Sequence, residues 1–204
     1  MLKVVTVLRS GGDFRPGHVA RLHEQWQTWS PIESAFYCLT DMELPGYIRT
    51  LPLLNNWPGW WSKIEAFKLP GPVLYLDLDT LITGDLEPIC HQVRVRDFLA
   101  LREFNGVEGL MGSGLMGWSG DASHVYRSFA KDPQRYMREC RTSRKWGDQG
   151  FIGDAIPHGL RTYWQDVLPG AVVSWKRHCR GGVIPPAARI VCFHGKPRPW
   201  EIGL

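Results

Sequence analysis

The segment Val73-Leu-Tyr-Leu-Asp-Leu-Asp-Thr80 is apolar until it delivers two aspartates two residues apart. Along a regular strand side chains alternate with a period of two, so Asp77 and Asp79 are expected on one side. Two carboxylates on one side, at the carboxyl end of a strand, make a hard oxygen site for a divalent cation. In an open α/β sheet that edge is also where ligands bind. Two aspartates that merely cap a strand account for the segment less well, because carboxylates left unpaired beside buried apolar flanks are costly.

The elements that must hold this pair follow from periodicity. Val4–Leu8 is a β-branched run ending at Gly11–Gly12 and reads as a buried strand. Val19, Leu22, Trp26 and Trp29 recur at spacings of three and four, the mark of an amphipathic helix. Ser34–Leu39 reads as a second strand, which completes a βαβ unit and implies a parallel sheet. From Thr40 to Gly59 the chain is rich in Pro, Gly and Asn and is expected to be a long loop. Trp60–Leu69 then reads as a short helix stopped by Pro70–Gly71–Pro72. Further strands are expected at Val73–Leu78, Phe98–Phe104, Gly114–Trp118, Val172–Trp175 and Arg189–Phe193. Asp121 caps a helix running to about Cys140, broken or kinked at Pro133. There is no internal repeat and no composition shift, so residues 1–204 are expected to form one α/β domain.

Composition narrows the classes. With 44% apolar and 22% charged residues, the chain can bury a core and is not disordered. A net charge of +4, spread along the chain, suits an anionic ligand but not a nucleic-acid partner. Five widely spaced cysteines without a CxxC or zinc pattern read as reduced thiols, which points to the cytoplasm. The apolar run in MLKVVTVLRSGG is too short for a signal peptide. No segment approaches the ~18 apolar residues of a membrane span.

A D-x-D pair after a strand also occurs in haloacid-dehalogenase phosphatases. They carry Thr or Val two residues after the second aspartate, where this chain has Leu81, and they place the motif near the N-terminus. That reading is the weaker one.

Three further segments, taken with Asp77 and Asp79, resemble the family-8 glycosyltransferases, the group of glycogenin and the bacterial lipooligosaccharide galactosyltransferases. His194-Gly-Lys-Pro-Arg-Pro-Trp200 is similar to that family's H-G-x-x-K-P-W element, with Arg198 in the lysine position. Gly147-Asp-Gln-Gly150 resembles the D-Q segment set beside the donor sugar. Ser62-Lys-Ile-Glu-Ala-Phe-Lys-Leu69 looks like the helix whose basic residue, here Lys63, reaches the donor. The resemblance runs in order through about residues 3–200. It implies a single Rossmann-like GT-A domain with a mixed, mostly parallel central sheet, holding a nucleotide sugar, a UDP-sugar by preference.

By the same resemblance Asp77, Asp79 and His194 hold a divalent metal. A set of two carboxylates and one imidazole suits Mn²⁺ better than Ca²⁺, whose preference is all-oxygen, and Mg²⁺ is the alternative ion. Gly195, Lys196 and Arg198 lie where the leaving diphosphate is neutralised. Asp148 and Gln149 are placed near the anomeric carbon, in a family that retains configuration; Asp148 as a plain helix N-cap is the structural alternative. Gly112-Ser-Gly-Leu-Met116 is similar to the family's N-[SA]-G element, so Ser113 and Gly114 line the sugar pocket while Gly112 replaces the asparagine. Gly153 stands where the family usually has Asn after D-Q. Thr6 and Phe14 sit where related enzymes contact the nucleobase. The Asn55–Trp61 loop brings Trp57, Trp60 and Trp61, which serve either as a platform for an unknown acceptor or as a cover for the core edge. A homologue that binds the nucleotide sugar without turnover is the alternative reading, favoured by Gly112 and opposed by the retained aspartates, His194 and Asp148–Gln149.

Overall fold

The computed structural model describes residues 1–31, 33–104, 106–107 and 109–204. The chain begins with β1 (Leu2–Leu8), α1 (Pro16–Trp29) and β2 (Ser34–Thr40), then β3 (Arg49–Pro52) and a 3₁₀ helix over Gly59–Lys68. β4 (Val73–Leu76), β5 (Thr80–Ile82), α2 (Glu87–Val95), β6 (Phe98–Arg102) and β7 (Met111–Trp118) follow. After α3 (Ser123–Lys131) and α4 (Pro133–Glu139), the short strands β8 (Arg141–Thr142) and β9 (Lys145–Trp146) pair and lead into α5 (Gly147–Ala155). β10 (Thr162–Tyr163), α6 (Trp164–Val167), β11 (Val172–Ser174), α7 (Trp175–His178) and β12 (Ile190–Cys192) complete the chain.

Seven strands form the central sheet in the order β10-β6-β7-β4-β1-β2-β3. β1 pairs parallel with β2 and β4, β2 with β3, and β6 with β10, whereas β7 runs antiparallel to both β4 and β6. The sheet is mixed and mostly parallel, as the resemblance implies. A second sheet, β11-β12-β5, contributes Val172, Ile190 and Ile82 to the core layer that holds Leu74 and Leu76 of β4.

β4 is buried on both faces, which is why it reads as an unbroken apolar run. Leu74 and Leu76 pack into one core layer with Val4, Leu22, Ile89 and Val93. Val73 and Tyr75 point into the other, with Phe67, Met116, Trp118 and Phe129. Trp118 and Trp164 are both enclosed, and each indole N–H finds a backbone carbonyl, of Leu69 at 3.1 Å and of Leu115 at 3.2 Å. Truncating either ring to alanine removes about 3–5 kcal/mol.

Several sequence expectations change. Thr40–Gly59 is not loop throughout: β3 adds to the sheet edge beside β2. Its residues are largely exposed and it ends in a proline, so no burial pattern marked it. The segment after Gly59 winds as a 3₁₀ helix, not an α-helix. The Asp121–Cys140 segment divides into α3 and α4, because Asp132 caps the second helix, accepting from the Arg135 N–H at 3.0 Å, and Pro133 opens it. The Val73–Leu78 strand stops at Leu76. Asp77, Leu78 and Asp79 form a turn, closed by the Thr80 N–H donating to the Asp77 carbonyl at 3.0 Å, so the two carboxylates are not presented by strand alternation. The five cysteines are buried and unpaired, and no helix among the described residues is long and apolar enough to cross a membrane.

Candidate functional site

A cavity of about 640 Å³ opens where β4 ends, within the range of small-molecule sites. It lies at the carboxyl edge of the parallel strands β1 and β4, and β7 and the segment after β12 complete its walls. The turn after β4 delivers Asp77 and Asp79 to it because the chain there leaves the central sheet and crosses to β5 in the second one.

The two aspartates meet different surroundings. Asp77 remains in register with β7, its N–H donating to the Gly114 carbonyl at 2.9 Å. Its carboxylate accepts from the Tyr75 hydroxyl at 2.8 Å and from the Lys63 ammonium at 2.8 and 3.1 Å. A β-carbon at Gly114 would stand 3.2 Å from the same carboxylate, so this glycine makes room for it. Asp79 is almost fully enclosed and accepts from the Arg198 guanidinium. Burial and then the neighbouring Asp77 charge push the Asp79 carboxyl up to about 7, and Arg198 offsets them only in part.

Lys63, carried by the 3₁₀ helix, binds Asp77 and also reaches Asp148 at 3.1 Å and the Ser113 hydroxyl at 3.2 Å. Ser113 in turn donates to Asp148 at 2.5 Å. Burial opposes the charge on Lys63, yet Asp148 and Asp77 outweigh it and hold the ammonium above the ordinary lysine range. One buried cation therefore ties together carboxylates 71 residues apart (77 and 148) from two elements. Asp148 sits in the first turn of α5 and not at its N-cap, which Trp146 occupies.

His194 follows β12 and faces the cavity. Its Nε2 shares a hydrogen bond with the Ser174 hydroxyl at 2.7 Å, and its ring stacks on Phe104 with centroids 5.7 Å apart. Burial first, then the charge of Lys176, lowers its pKa below the usual 6.5. Among the described residues no three His, Cys, Asp or Glu side chains stand close enough together to form a ready cation cage. The donor types are ones a divalent ion accepts, two carboxylates and an imidazole lining one cavity, and each is held in place by a protein partner: Asp77 by Lys63 and Tyr75, Asp79 by Arg198 and His194 by Ser174.

Phe14, Lys63, Asp77, Asp79, Ser113, Gly114, Asp148, Gln149, His194, Gly195 and Arg198 all line this cavity. Two expected residues do not. Thr6 is wholly buried within β1, and the residues that reach the cavity from this strand and its exit are Val7 and Arg9. Lys196 points to solvent and pairs with Glu201 at 3.3 Å. Gly112 has a packing reason, since a β-carbon there would press on the Leu101 β-carbon at 3.3 Å. At Gly153 a β-carbon would make ordinary contact with Met111 and Arg161, and Arg161 donates to the Gly153 carbonyl. Sequence reasoning missed Tyr75, Trp146 and Phe104. Trp146 adjoins Gly147–Gln149 in sequence and could have been found there; Tyr75 and Phe104 look like ordinary strand aromatics.

The structure matches the glycosyltransferase GlyE of Streptococcus pneumoniae with a TM-score of 0.68 at 14% identity, over 98% of this chain and 56% of GlyE. It matches the galactosyltransferase LgtC, solved with donor and acceptor sugar analogues, with a TM-score of 0.68 at 13% identity, over 97% of this chain and 89% of LgtC. The fold is GT-A. The bifunctional glycosyltransferase WbbM shares it with a TM-score of 0.63 at 11% identity, over 98% of this chain and 46% of WbbM. The chain thus spans about half the length of GlyE and of WbbM, and most of LgtC. No protein-family model matches the sequence, and no curated protein matches it by sequence. In a GT-A fold the cavity described above lies at the end of the central sheet, and Asp77, Asp79 and Asp148 all face it.

Proposed function

We propose that the chain is a metal-dependent glycosyltransferase that moves a sugar from a nucleotide-sugar donor, a UDP-sugar, to an acceptor hydroxyl with retention of anomeric configuration. The observation that carries this reading is the Lys63 clip, which sets Asp77 and Asp148 around one ammonium inside the cavity of a GT-A fold. The solved LgtC complex with donor and acceptor sugar analogues supports it by analogy.

Asp77, Asp79 and His194 would hold the divalent ion, which supplies positive charge against the donor diphosphate. Arg198, already hydrogen-bonded to Asp79 on the cavity wall, brings a second cation to the same place. Its planar fork suits two phosphate oxygens, and its charge counts most as the bond to the sugar breaks. The Lys63 clip holds Asp148 rigid beside Gln149, where these two orient the sugar; Gln149 is assigned no nucleophilic role. The acceptor oxygen gains the bond to the anomeric carbon, the nucleoside diphosphate leaves with the electron pair, and the acceptor proton is released. Phe14, half-buried on the cavity wall, packs against Trp200 and Arg198 and would offer ring surface to the base. We place the reaction in the cytoplasm, where five free thiols stay reduced.

The test is a thermal-shift and calorimetric screen of UDP- and GDP-sugars with and without Mn²⁺. A rise in melting temperature that needs both nucleotide sugar and metal, followed by release of nucleoside diphosphate, is the expected result. Absence of any nucleotide effect would end the reading.

A further inference from the structure

The turn that carries Asp79 is held from behind by α1. Arg21 and Gln25 stand four residues apart on that helix and so share one of its faces. The Arg21 guanidinium donates through Nη2 to the Leu78 carbonyl at 2.9 Å and to the Thr80 carbonyl at 3.3 Å, the residues on either side of Asp79. One turn further along, the Gln25 side-chain carbonyl accepts from the Ile82 N–H at 3.0 Å. At the end of the helix the Trp29 carbonyl accepts from the Leu86 N–H at 2.9 Å. The helix therefore tracks the chain over residues 78–86 and fastens it where it crosses from one sheet to the other.

A neutral side chain would serve a plain tether better than Arg21 does. Its Nε and Nη1 are buried with no acceptor among the described residues, and buried donors without acceptors are destabilising. Burial also opposes its charge, which Asp79 favours. Local departures of this kind concentrate at functional sites. The two arginines at the turn act on different atoms. Arg198 occupies the Asp79 carboxylate itself, whereas Arg21 takes only main-chain oxygens and leaves that carboxylate free. In the transfer reading Arg198 turns its fork to the donor diphosphate and Asp79 takes a metal ion. The turn then loses one of its two arginines, and Arg21 is the one that stays. The same face of α1 meets the segment that carries Arg198: the Trp200 indole stacks on His18 at 3.7 Å and lies 5.6 Å from the Arg21 guanidinium.

We propose that Arg21 is a positioning residue, fixing the backbone on both sides of Asp79 so that this carboxylate keeps its place in the cavity when Arg198 releases it. Arg21 is not among the residues that line the cavity, so it acts through Asp79. A carboxylate displaced by a fraction of an ångström is a poorer metal ligand, and groups that only orient ligands are worth about ten- to hundredfold in metal affinity. The clamp itself stands on the hydrogen bonds of Arg21; its consequence for the metal rests on the transfer reading above.

Hydrogen–deuterium exchange and calorimetry on the full chain test the assignment. Arg21→Met keeps the aliphatic stem and removes the donors. Amide exchange over residues 78–82 should then quicken while β1 and β2 exchange as in wild type. Mn²⁺ titrated in the presence of UDP should bind about tenfold more weakly. Arg21→Lys keeps a charged donor and should show both changes in smaller degree; it carries the comparison if the methionine variant does not fold. Val167→Ala, a truncation on α6 against the core, is the packing control and should leave both measurements unchanged at a lowered melting temperature. Unaltered exchange over residues 78–82 in the Arg21 variants overturns the proposal. So does a loosened turn with Mn²⁺ affinity within twofold of wild type, which would make Arg21 a fastening of α1 alone. An equal loss of Mn²⁺ affinity in Val167→Ala overturns it as well. Local loosening in a protein whose wild type binds neither Mn²⁺ nor nucleotide would uphold the clamp and sink the transfer reading instead.

Discussion

Arg198 donates to the carboxylate of Asp79, joining the end of the chain to the turn after β4 across 119 residues. It is the counter-charge of an aspartate that is otherwise enclosed beside another aspartate. Arg198→Ala is expected to lower turnover more than donor affinity, since an interaction that strengthens as the diphosphate leaves shows in kcat. Arg198→Lys should recover part of the loss, because charge survives without the bidentate fork. Steady-state kinetics on both variants decide this: an alanine variant within about twofold of wild type, under ~0.5 kcal/mol, would leave Arg198 a structural partner of Asp79 alone.

Nucleotide binding is expected to need the metal. In the proposed reading the donor phosphates would lie by the Asp77 and Asp79 carboxylates, which line the cavity, and without a metal ion like charges would repel. Calorimetry of UDP should show affinity at least tenfold weaker in EDTA than in Mn²⁺, and Asp77→Asn and Asp79→Asn should abolish the difference. Equal affinity in EDTA and Mn²⁺ for wild-type protein would remove the metal from the reading.

Lys63 is buried with three polar partners, so its loss strands charge. Lys63→Met keeps the approximate volume but leaves Asp148 and Asp77 without their shared cation. Removing one member of a buried pair costs about 3 kcal/mol. For a chain of this size that lowers the melting temperature by about 6–12 °C. Adding Asp148→Asn should restore part of the stability. Scanning calorimetry that finds the single variant within about 2 °C of wild type would contradict the account of the clip.

His18 supplies a pH dependence with a definite sign. Its ring stacks on Trp200 at 3.7 Å, and burial, then Arg21, Arg15 and Arg198, lowers its pKa below the usual 6.5. The unfolded chain binds the proton more readily, so stability is full above 6.5 and is lost as pH falls from there toward the lowered value. His18→Gln should flatten the decline in melting temperature between about pH 7.5 and 5.5, whatever it does to the absolute value. An identical slope in the variant would show that His18 titrates as freely in the fold as outside it.

The sequence alone determined the β1-α1-β2 unit, the buried strand β4 and the break between α3 and α4, because burial periodicity, caps and prolines act over a few residues. Motifs standing in order also grouped Asp77, Asp79, Asp148 and His194, and all four line one cavity. It did not show β3, an exposed edge strand whose partner β2 alone defines it. Nor did it show that Asp77 and Asp79 leave the strand and enter a turn, where one is held by Lys63 and Tyr75 and the other by Arg198.

Only the tertiary structure decided which of several similar residues reach the cavity. Arg198 turns inward to Asp79 while Lys196 turns outward to Glu201, and Trp60 stands on the rim while Trp57 and Trp61 go to the core. The physical reason is the same in each case. Burial and charge pairing depend on groups that approach from distant parts of the chain, as α5 brings Gly147 under Trp60 and Asp148 to Lys63, and no local pattern encodes that approach.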